Sequence, residues 1–234
     1  MDCLRNYEFW KNFQEKGWEE QTFKIFNKFL DKNHSYIDIG AWIGSTVLYG
    51  CQLAKHSYAI EPDPIAFKEL RKNIRLNNNL NSKITLSNLC ISDSIGSTKL
   101  FTPAKTLSGG GRSGSTILEK GYENFWMVET VTLSKFIKSL SIIDCNFIKM
   151  DIEGAEFTVL PEMFEYIQNQ KPTMLIEFHP MFVEHFSEKL KQISPIFNFY
   201  KHIYDINLKE INIKNILNVD PSKTFHLVLS NNTV

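Results

Sequence analysis

The sequence predicts an α/β fold: a doubly wound, mostly parallel sheet, preceded by N-terminal helices and closed by an antiparallel pair of strands. Three observations lead there. Short apolar runs alternate with helical patterns from Tyr36 onward, a glycine-bearing turn follows the first run, and the last two runs are joined by a connection with little helical pattern. With 234 residues the chain suits one sizeable core with additions. The expected layout is a helical segment over 1–34 packing on a main domain over 35–234.

Taken in order, residues from about Leu4 to Leu30 carry aromatics three or four apart (Phe9, Phe13, then Phe23, Phe26), the pattern of one or two amphipathic helices. YIDIG, the helical stretch Ser45 to Lys55, SYAIE, the helix Pro64 to Leu76 and KITLSNL then give the rhythm βαβαβ. Asp63 is a plausible N-cap with Pro64 in the first turn, and Phe67, Leu70 and Ile74 share one helical face. SGGGRSGST, residues 108–116, is too rich in glycine for a regular element and reads as a loop or a lid, with a plain connector as the alternative. NFIKMD (146–151) and TMLIEFH (173–179) are two further strands, with a helix between them kinked or broken at Pro161. FYKHIYD (199–205) and TFHLVLS (224–230) form the closing pair.

Composition excludes several classes. Hydrophobic residues at 43% and charged ones at 22% belong to a globular chain, not a disordered or fibrous one. Twenty-six basic against 26 acidic residues leave no global field to attract nucleic acid or an anionic membrane, so neither is expected as a partner. Cys3, Cys51, Cys90 and Cys145 form no CxxC pair, which argues against a zinc cluster or a disulfide scaffold. The N-terminus lacks the apolar core of a secretory signal, and the longest uncharged stretch, Gly40 to Ala54, is too short and polar to span a bilayer. A cytoplasmic location is the expectation.

The first strand runs into Asp38-Ile39-Gly40-Ala41-Trp42-Ile43-Gly44-Ser45, two glycines four apart where a strand turns into a helix. Such a turn brings backbone N–H groups close to a ligand, although glycines there also serve a tight turn alone. The spacing is not the GxGxxG of a pyrophosphate-binding turn, which favours a ligand without phosphates. Glu61, at the end of the second strand, stands where a carboxylate accepts hydrogen bonds from both hydroxyls of a ribose.

YIDIGAWIGSTVL, AIEPDP, CISDSIG, FIKMDIEGAE and LIEFHP together resemble the successive motifs of the FkbM-type S-adenosylmethionine-dependent methyltransferases, over about residues 18–180, with DIEGAE and EPDP the most specific. The resemblance implies a class I methyltransferase (Rossmann-like) fold of seven strands with an antiparallel last strand. It also implies S-adenosyl-L-methionine as cofactor, S-adenosyl-L-homocysteine as product, and methylation of a hydroxyl on a saccharide, glycan or secondary-metabolite acceptor. Mapped by it, Gly40, Ala41, Gly44 and Ser45 pass under the methionine portion, with Asp38 near its amino group. Glu61 takes the ribose hydroxyls, Pro62 and Asp63 line the adenosine side, and Ser92 and Asp93 lie beside the adenine, with Ile91 on the ring face.

Asp151, Glu153 and Glu156 crowd the end of the fourth of these strands, and Glu177 and His179 close the fifth, where strand ends converge on the ligand crevice. Methyl transfer from a sulfonium asks the protein to align the acceptor oxygen and to remove one proton. His179, with an ordinary pKa of about 6.5, is the expected general base, and Asp151 or Glu153 orients it or binds the acceptor. In a second arrangement Asp151, Glu177 and His179 hold a divalent cation, magnesium or manganese, that gathers the acceptor oxygen. The metal-free version is preferred. Trp18, Trp42 and Trp126 are the aromatics worth following; the remaining histidines receive no role. From other classes, a nicotinamide-dependent oxidoreductase and a non-catalytic binding module of the same fold are the alternatives.

Overall fold

The structure is a computed structural model that describes residues 7–103, 114–119 and 121–234. Helices α1 (Tyr7–Lys16) and α2 (Glu20–Phe29) precede β1 (Ser35–Ile39), α3 (Ser45–Leu53), β2 (Ser57–Ile60), α4 (Pro64–Leu76) and β3 (Ile84–Ser87). Strands β4 (Cys90–Ile91), β5 (Gly96–Thr102) and β6 (Asn124–Val131) follow, then α5 (Leu133–Ser139) and β7 (Cys145–Asp151). The chain continues through α6 (Glu156–Glu162), α7 (Phe164–Gln170), β8 (Thr173–Phe178), α8 (Phe186–Ile193), β9 (His202–Tyr204), α9 (Ile213–Ile216) and β10 (Phe225–Ser230).

Seven strands form one sheet in the order β3-β2-β1-β7-β8-β10-β9. β3, β2, β1, β7 and β8 are parallel, and β10 runs antiparallel to both β8 and β9. The chain steps outward from β1 to β3, then returns to place β7 on the other side of β1. That reversal opens a crevice beyond the carboxyl ends of β1 and β7, the usual ligand position in an open α/β sheet.

Both faces of the sheet are covered, which explains why all five residues of β1 are buried. On one face Ile37, Ile39, Ile148, Met150 and Ile176 pack with Leu133, Leu160 and Leu190 from α5, α6 and α8. On the other, Tyr36, Phe147, Leu175 and Val228 meet Ile25 and Phe26 of α2, while Ala59 meets Val47 of α3 and Leu70 of α4. Ile25 and Phe26 are wholly buried, each contributing about 2–3 kcal/mol of transfer free energy. The amphipathic N-terminal helix is thus the cover of one sheet face.

Helix α4 begins as its sequence requires: Asp63 Oδ1 accepts from the backbone N–H groups of Ile65 (2.8 Å) and Ala66 (3.2 Å), and Pro64 occupies the first turn. The helix expected to break at Pro161 is two helices whose junction falls at Met163, two residues further on. A second sheet, ordered β4-β6-β5, went unforeseen, as did α5 and α8. Residues 108–113 of the expected glycine-rich loop or lid, and Cys3, lie outside the described residues. No helix among the described residues is long and apolar enough to cross a membrane.

Candidate functional site

Two clefts open beyond the carboxyl ends of β1 and β7. The first, about 670 Å³ with its mouth included, has apolar walls from Ile60, Ala66, Ile91 and Leu100 around the carboxyl group of Glu61. The second, about 620 Å³, is lined by Trp18, Glu19, Lys149, Glu177 and His179 with Ala41, Ser45 and Thr46. Gly40, Trp42, Asp151 and Glu153 line both and form the boundary between them.

The β1–α3 turn is held by its own backbone. Gly40 and Ala41 N–H groups both donate to Ile60 O at 3.0 Å, and Gly44 N–H donates to Ala41 O. Gly40 (φ +85°) is obligatory for a protein contact: an added Cβ would lie 1.9 Å from Asp151 O. Gly44 (φ +94°) lies outside both cleft linings, and a Cβ there would meet Leu70 Cδ1 at 2.5 Å. Of the two glycines expected beneath a ligand, Gly40 reaches the clefts, while Gly44 starts α3 and packs on α4.

Glu61 is buried, and its two oxygens are fixed by backbone donors: Oε1 accepts from Asp63 N–H at 2.7 Å and Oε2 from Trp42 N–H at 2.8 Å. Trp42 reaches that position with φ +46°, a left-handed conformation for a bulky residue, and Phe9 of α1 packs edge-on against its ring at 4.8 Å. Burial pushes Glu61 up to about 8, against the two backbone hydrogen bonds that lower it. Each carboxyl oxygen keeps an unused lone pair, so the group can still accept from two ligand hydroxyls. A strongly perturbed carboxyl in an apolar cleft is the physical mark of a binding site.

Pro62 and Asp63 line the same cleft. Asp63 Oδ2 accepts from Ser115 Oγ at 2.8 Å, and Thr116 Oγ1 donates to Glu153 O at 2.8 Å, so the described end of the glycine-rich stretch ties one cleft wall to the other. Ser92 and Asp93 correct an expectation, since they form no part of the cleft lining. Ser92 N–H is engaged by Val131 O, its hydroxyl faces Asp93 at 3.3 Å, and Asp93 is exposed; Cys90 and Ile91 supply the wall instead.

Asp38 also lies away from both clefts. It is fully buried, accepts from Thr46 Oγ1 at 2.6 Å, and stands 3.5 Å from Lys149 Nζ on the neighbouring strand. Asp38 therefore reaches the second cleft only through Thr46 and Lys149. Burial alone would strip the lysine of its proton, yet the carboxylates of Asp38 and Asp151, with Glu19 and Glu177, hold it firmly cationic. Lys149 escaped the sequence reading, though a lone lysine inside an apolar strand needs a buried partner, and Asp38 in YIDIG was the available one.

The acids foreseen at the strand ends do converge. Asp151 and Glu177 are cross-strand neighbours, and His179 Nε2 faces Glu177 Oε1, Glu153 Oε2 and Asp151 Oδ1 at 3.6, 3.8 and 3.9 Å. Glu156 is wholly buried; its Oε1 accepts from the N–H groups of Ile152 and Gly154 and lies 3.4 Å from His179 Nδ1. Burial disfavours a charged imidazole, but the hydrogen bond to Glu156 and the charges of Glu156, Asp151 and Glu153 together raise His179 to about 9. The ring therefore holds its proton more readily than a free imidazole while those carboxylates stand alone around it. Burial likewise raises Asp151 to about 7, with Lys149 pulling the other way. Glu153 enters both clefts from a left-handed backbone conformation (φ +56°). His226, without an expected role, lies 3.1 Å from Glu177 Oε2. Trp18 and Trp42 line the second cleft, whereas Trp126 packs with Leu100 and Val128 in the small sheet.

Methyltransferase FkbM from Methylobacillus flagellatus KT has a similar fold, with a TM-score of 0.50 at 16% identity over 97% of this chain. The match covers 60% of that structure, so this chain spans about three fifths of its length. The N-terminal domain of human METTL16 in complex with S-adenosylhomocysteine matches with a TM-score of 0.48 at 16% identity, over 98% of this chain and 70% of that one. The O-methyltransferase from Bacillus cereus, in complex with the same compound, matches with 0.48 at 8% identity, over 91% of this chain and 79% of that one. No curated protein matches the sequence. The model of the methyltransferase FkbM domain matches residues 38–206, well over half of the chain, and the protein accordingly belongs to the FkbM methyltransferase family.

Proposed function

We propose that the protein transfers a methyl group from S-adenosyl-L-methionine to a hydroxyl oxygen of a saccharide, glycan or secondary-metabolite acceptor. One observation carries this reading: an apolar cleft with a buried carboxyl group, Glu61, meets an acid-lined cleft across a boundary made by Gly40, Trp42, Asp151 and Glu153. The first cleft fits an adenosine, its ring against Ile91, Leu100 and Ala66 and its sugar hydroxyls donating to Glu61. The turn residues Ala41, Ser45 and Thr46 face the amino-acid tail. When bound, the sulfonium supplies an electrophilic methyl group, and the protein's share is alignment.

Within the chain the labour divides. Trp18 and Trp42 offer flat apolar faces to a sugar ring, and the carboxylates of the second cleft accept from its other hydroxyls. Glu153, which reaches both clefts, takes the proton that the acceptor oxygen loses as its new carbon–oxygen bond forms. Glu156 and Asp38 act only through His179 and Lys149.

Glu61→Ala is expected to weaken S-adenosylhomocysteine binding about a hundredfold, or roughly 3 kcal/mol for two lost hydrogen bonds in a cleft shielded from water. Calorimetry with the 2′-deoxy analogue isolates the contact: the analogue binds less well than its parent to the unaltered chain and equally well to the variant. Equal affinities for both ligands in the unaltered chain remove Glu61 from the ribose. For the transfer itself, tritium-labelled methyl donor is incubated with a panel of saccharides. Labelled product is expected, and Glu153→Gln lowers its yield about a hundredfold while cofactor affinity falls far less. Cofactor binding without label in any hydroxylated acceptor overturns the acceptor assignment.

A further inference from the structure

We infer that Asp151, Glu177 and His179 form a site for one divalent cation of the manganese or magnesium class. Its use in methyl transfer rests on the function proposed above; its existence does not. The three side chains come from adjacent strand ends, Asp151 paired across from Glu177 and His179 two residues further along. One donor atom from each lies within 4.8 Å of the other two. His179 Nε2 stands 3.6 Å from Glu177 Oε1 and 3.9 Å from Asp151 Oδ1, too far for hydrogen bonds. Ligand atoms held about 2.1 Å from one cation are separated by about 3.0 to 4.2 Å, from adjacent to opposite positions, and both distances from His179 Nε2 fall in that range.

The second, independent observation is how each ligand is aimed. His179 is buried, with a relative exposure of 6%; among the described residues no hydrogen bond reaches its Nε2, and its other nitrogen faces Glu156 Oε1 at 3.4 Å. Glu156 is itself fixed by two backbone N–H groups, and its contact with Nδ1 favours the orientation that turns Nε2 toward the carboxylates. Glu177 turns Oε2 to His226 at 3.1 Å and leaves Oε1 inward, and Asp151 turns Oδ2 toward Lys149 at 3.7 Å and leaves Oδ1 inward. Three ligands thus present one atom each to a common point and anchor the other atom outside it, the outer-shell arrangement that metal ligands require. Glu153 Oε2 lies 3.8 Å from the same Nε2, beside the three. Two carboxylates with one imidazole suit manganese and magnesium better than zinc or copper. Facing the second cleft, the cation would gather the acceptor oxygen and ease the loss of its proton.

The chain is stripped with chelator and titrated with manganous ion, free ion being read by electron paramagnetic resonance. One site per chain is expected. Glu177→Gln should weaken it at least tenfold, and Glu156→Gln, which touches the site through the ring and the adjoining turn, about tenfold. Manganese should raise the melting temperature of the unaltered chain and leave that of Glu177→Gln unmoved, so a variant that folds poorly is recognised by its melting curve. A chain that holds no manganese at millimolar concentration overturns the site, and so does equal binding by Glu177→Gln. S-adenosylhomocysteine calorimetry in chelator separates the two readings: binding there with no manganese site sinks the cation alone, and a manganese site without cofactor binding sinks the proposed function alone.

Discussion

Gly40→Ala is expected to cost at least about 4 kcal/mol of folding stability and to abolish cofactor binding in whatever fraction still folds. The new Cβ would lie 1.9 Å from Asp151 O and 2.9 Å from Asp151 C, both backbone atoms, so no side-chain rotation relieves the clash. A left-handed φ adds about 1–2 kcal/mol for any residue with a Cβ. The strand end carrying Asp151 must then move, and Asp151 borders both clefts. Gly44→Ala is the internal comparison. It too has positive φ, but its Cβ meets only the tip of Leu70, which can swing aside. Urea unfolding of the two variants should show Gly40→Ala to be the more damaging by about 2 kcal/mol. Equal losses would mean that the close approach of β1 and β7 carries no energetic weight.

Lys149→Met is expected to destabilise the fold by about 3–5 kcal/mol, because it leaves Asp38 as an unpaired charge in a fully buried strand. Thr46 still serves one carboxylate oxygen, while the other has no hydrogen-bond partner and depends on the lysine's charge at 3.5 Å. Asp38→Asn in the same background removes that charge and should restore much of the loss. The two substitutions are therefore expected to be strongly non-additive in a double-mutant cycle. Strict additivity in denaturant melts would show that the two groups do not sense each other. Methionine keeps the length and apolar stem of lysine, so lost packing contributes little.

The central strands were legible because parallel strands buried on both faces read as continuous apolar runs, as YIDIG and NFIKMD do. Helix α4 was legible to the residue since Asp63 and Pro64 announce its start. Strands β5 and β6 were not. Only Leu100 and Thr102 of β5 are buried, and the two strands pair with each other rather than in the main sheet, so their partners are set by tertiary context. Helix α8 did carry a signal, with Phe186, Leu190 and Ile193 buried on one face at helical spacing.

At the site, proximity in sequence was a good guide to neighbourhood and a poor one to direction. Asp38 shares its strand with Ile37 and Ile39 but points to the opposite face, toward Lys149, and alternation along the strand foretells that. Ser92 and Asp93 follow Ile91 directly, yet β4 pairs with β6 and carries them out of the cleft wall. Charge balance was hidden as well: the tendency of His179 to hold a proton arises from Glu156, Asp151 and Glu153 together, and no spacing rule reveals it.

The pairing of β1 with β7 joins segments more than a hundred residues apart. A nascent chain leaving the ribosome therefore exposes one bare edge of a strand that is wholly buried in the finished fold until the second half has been made. For that interval β1 is a template for wrong partners, a hazard that ends when β7 covers the edge.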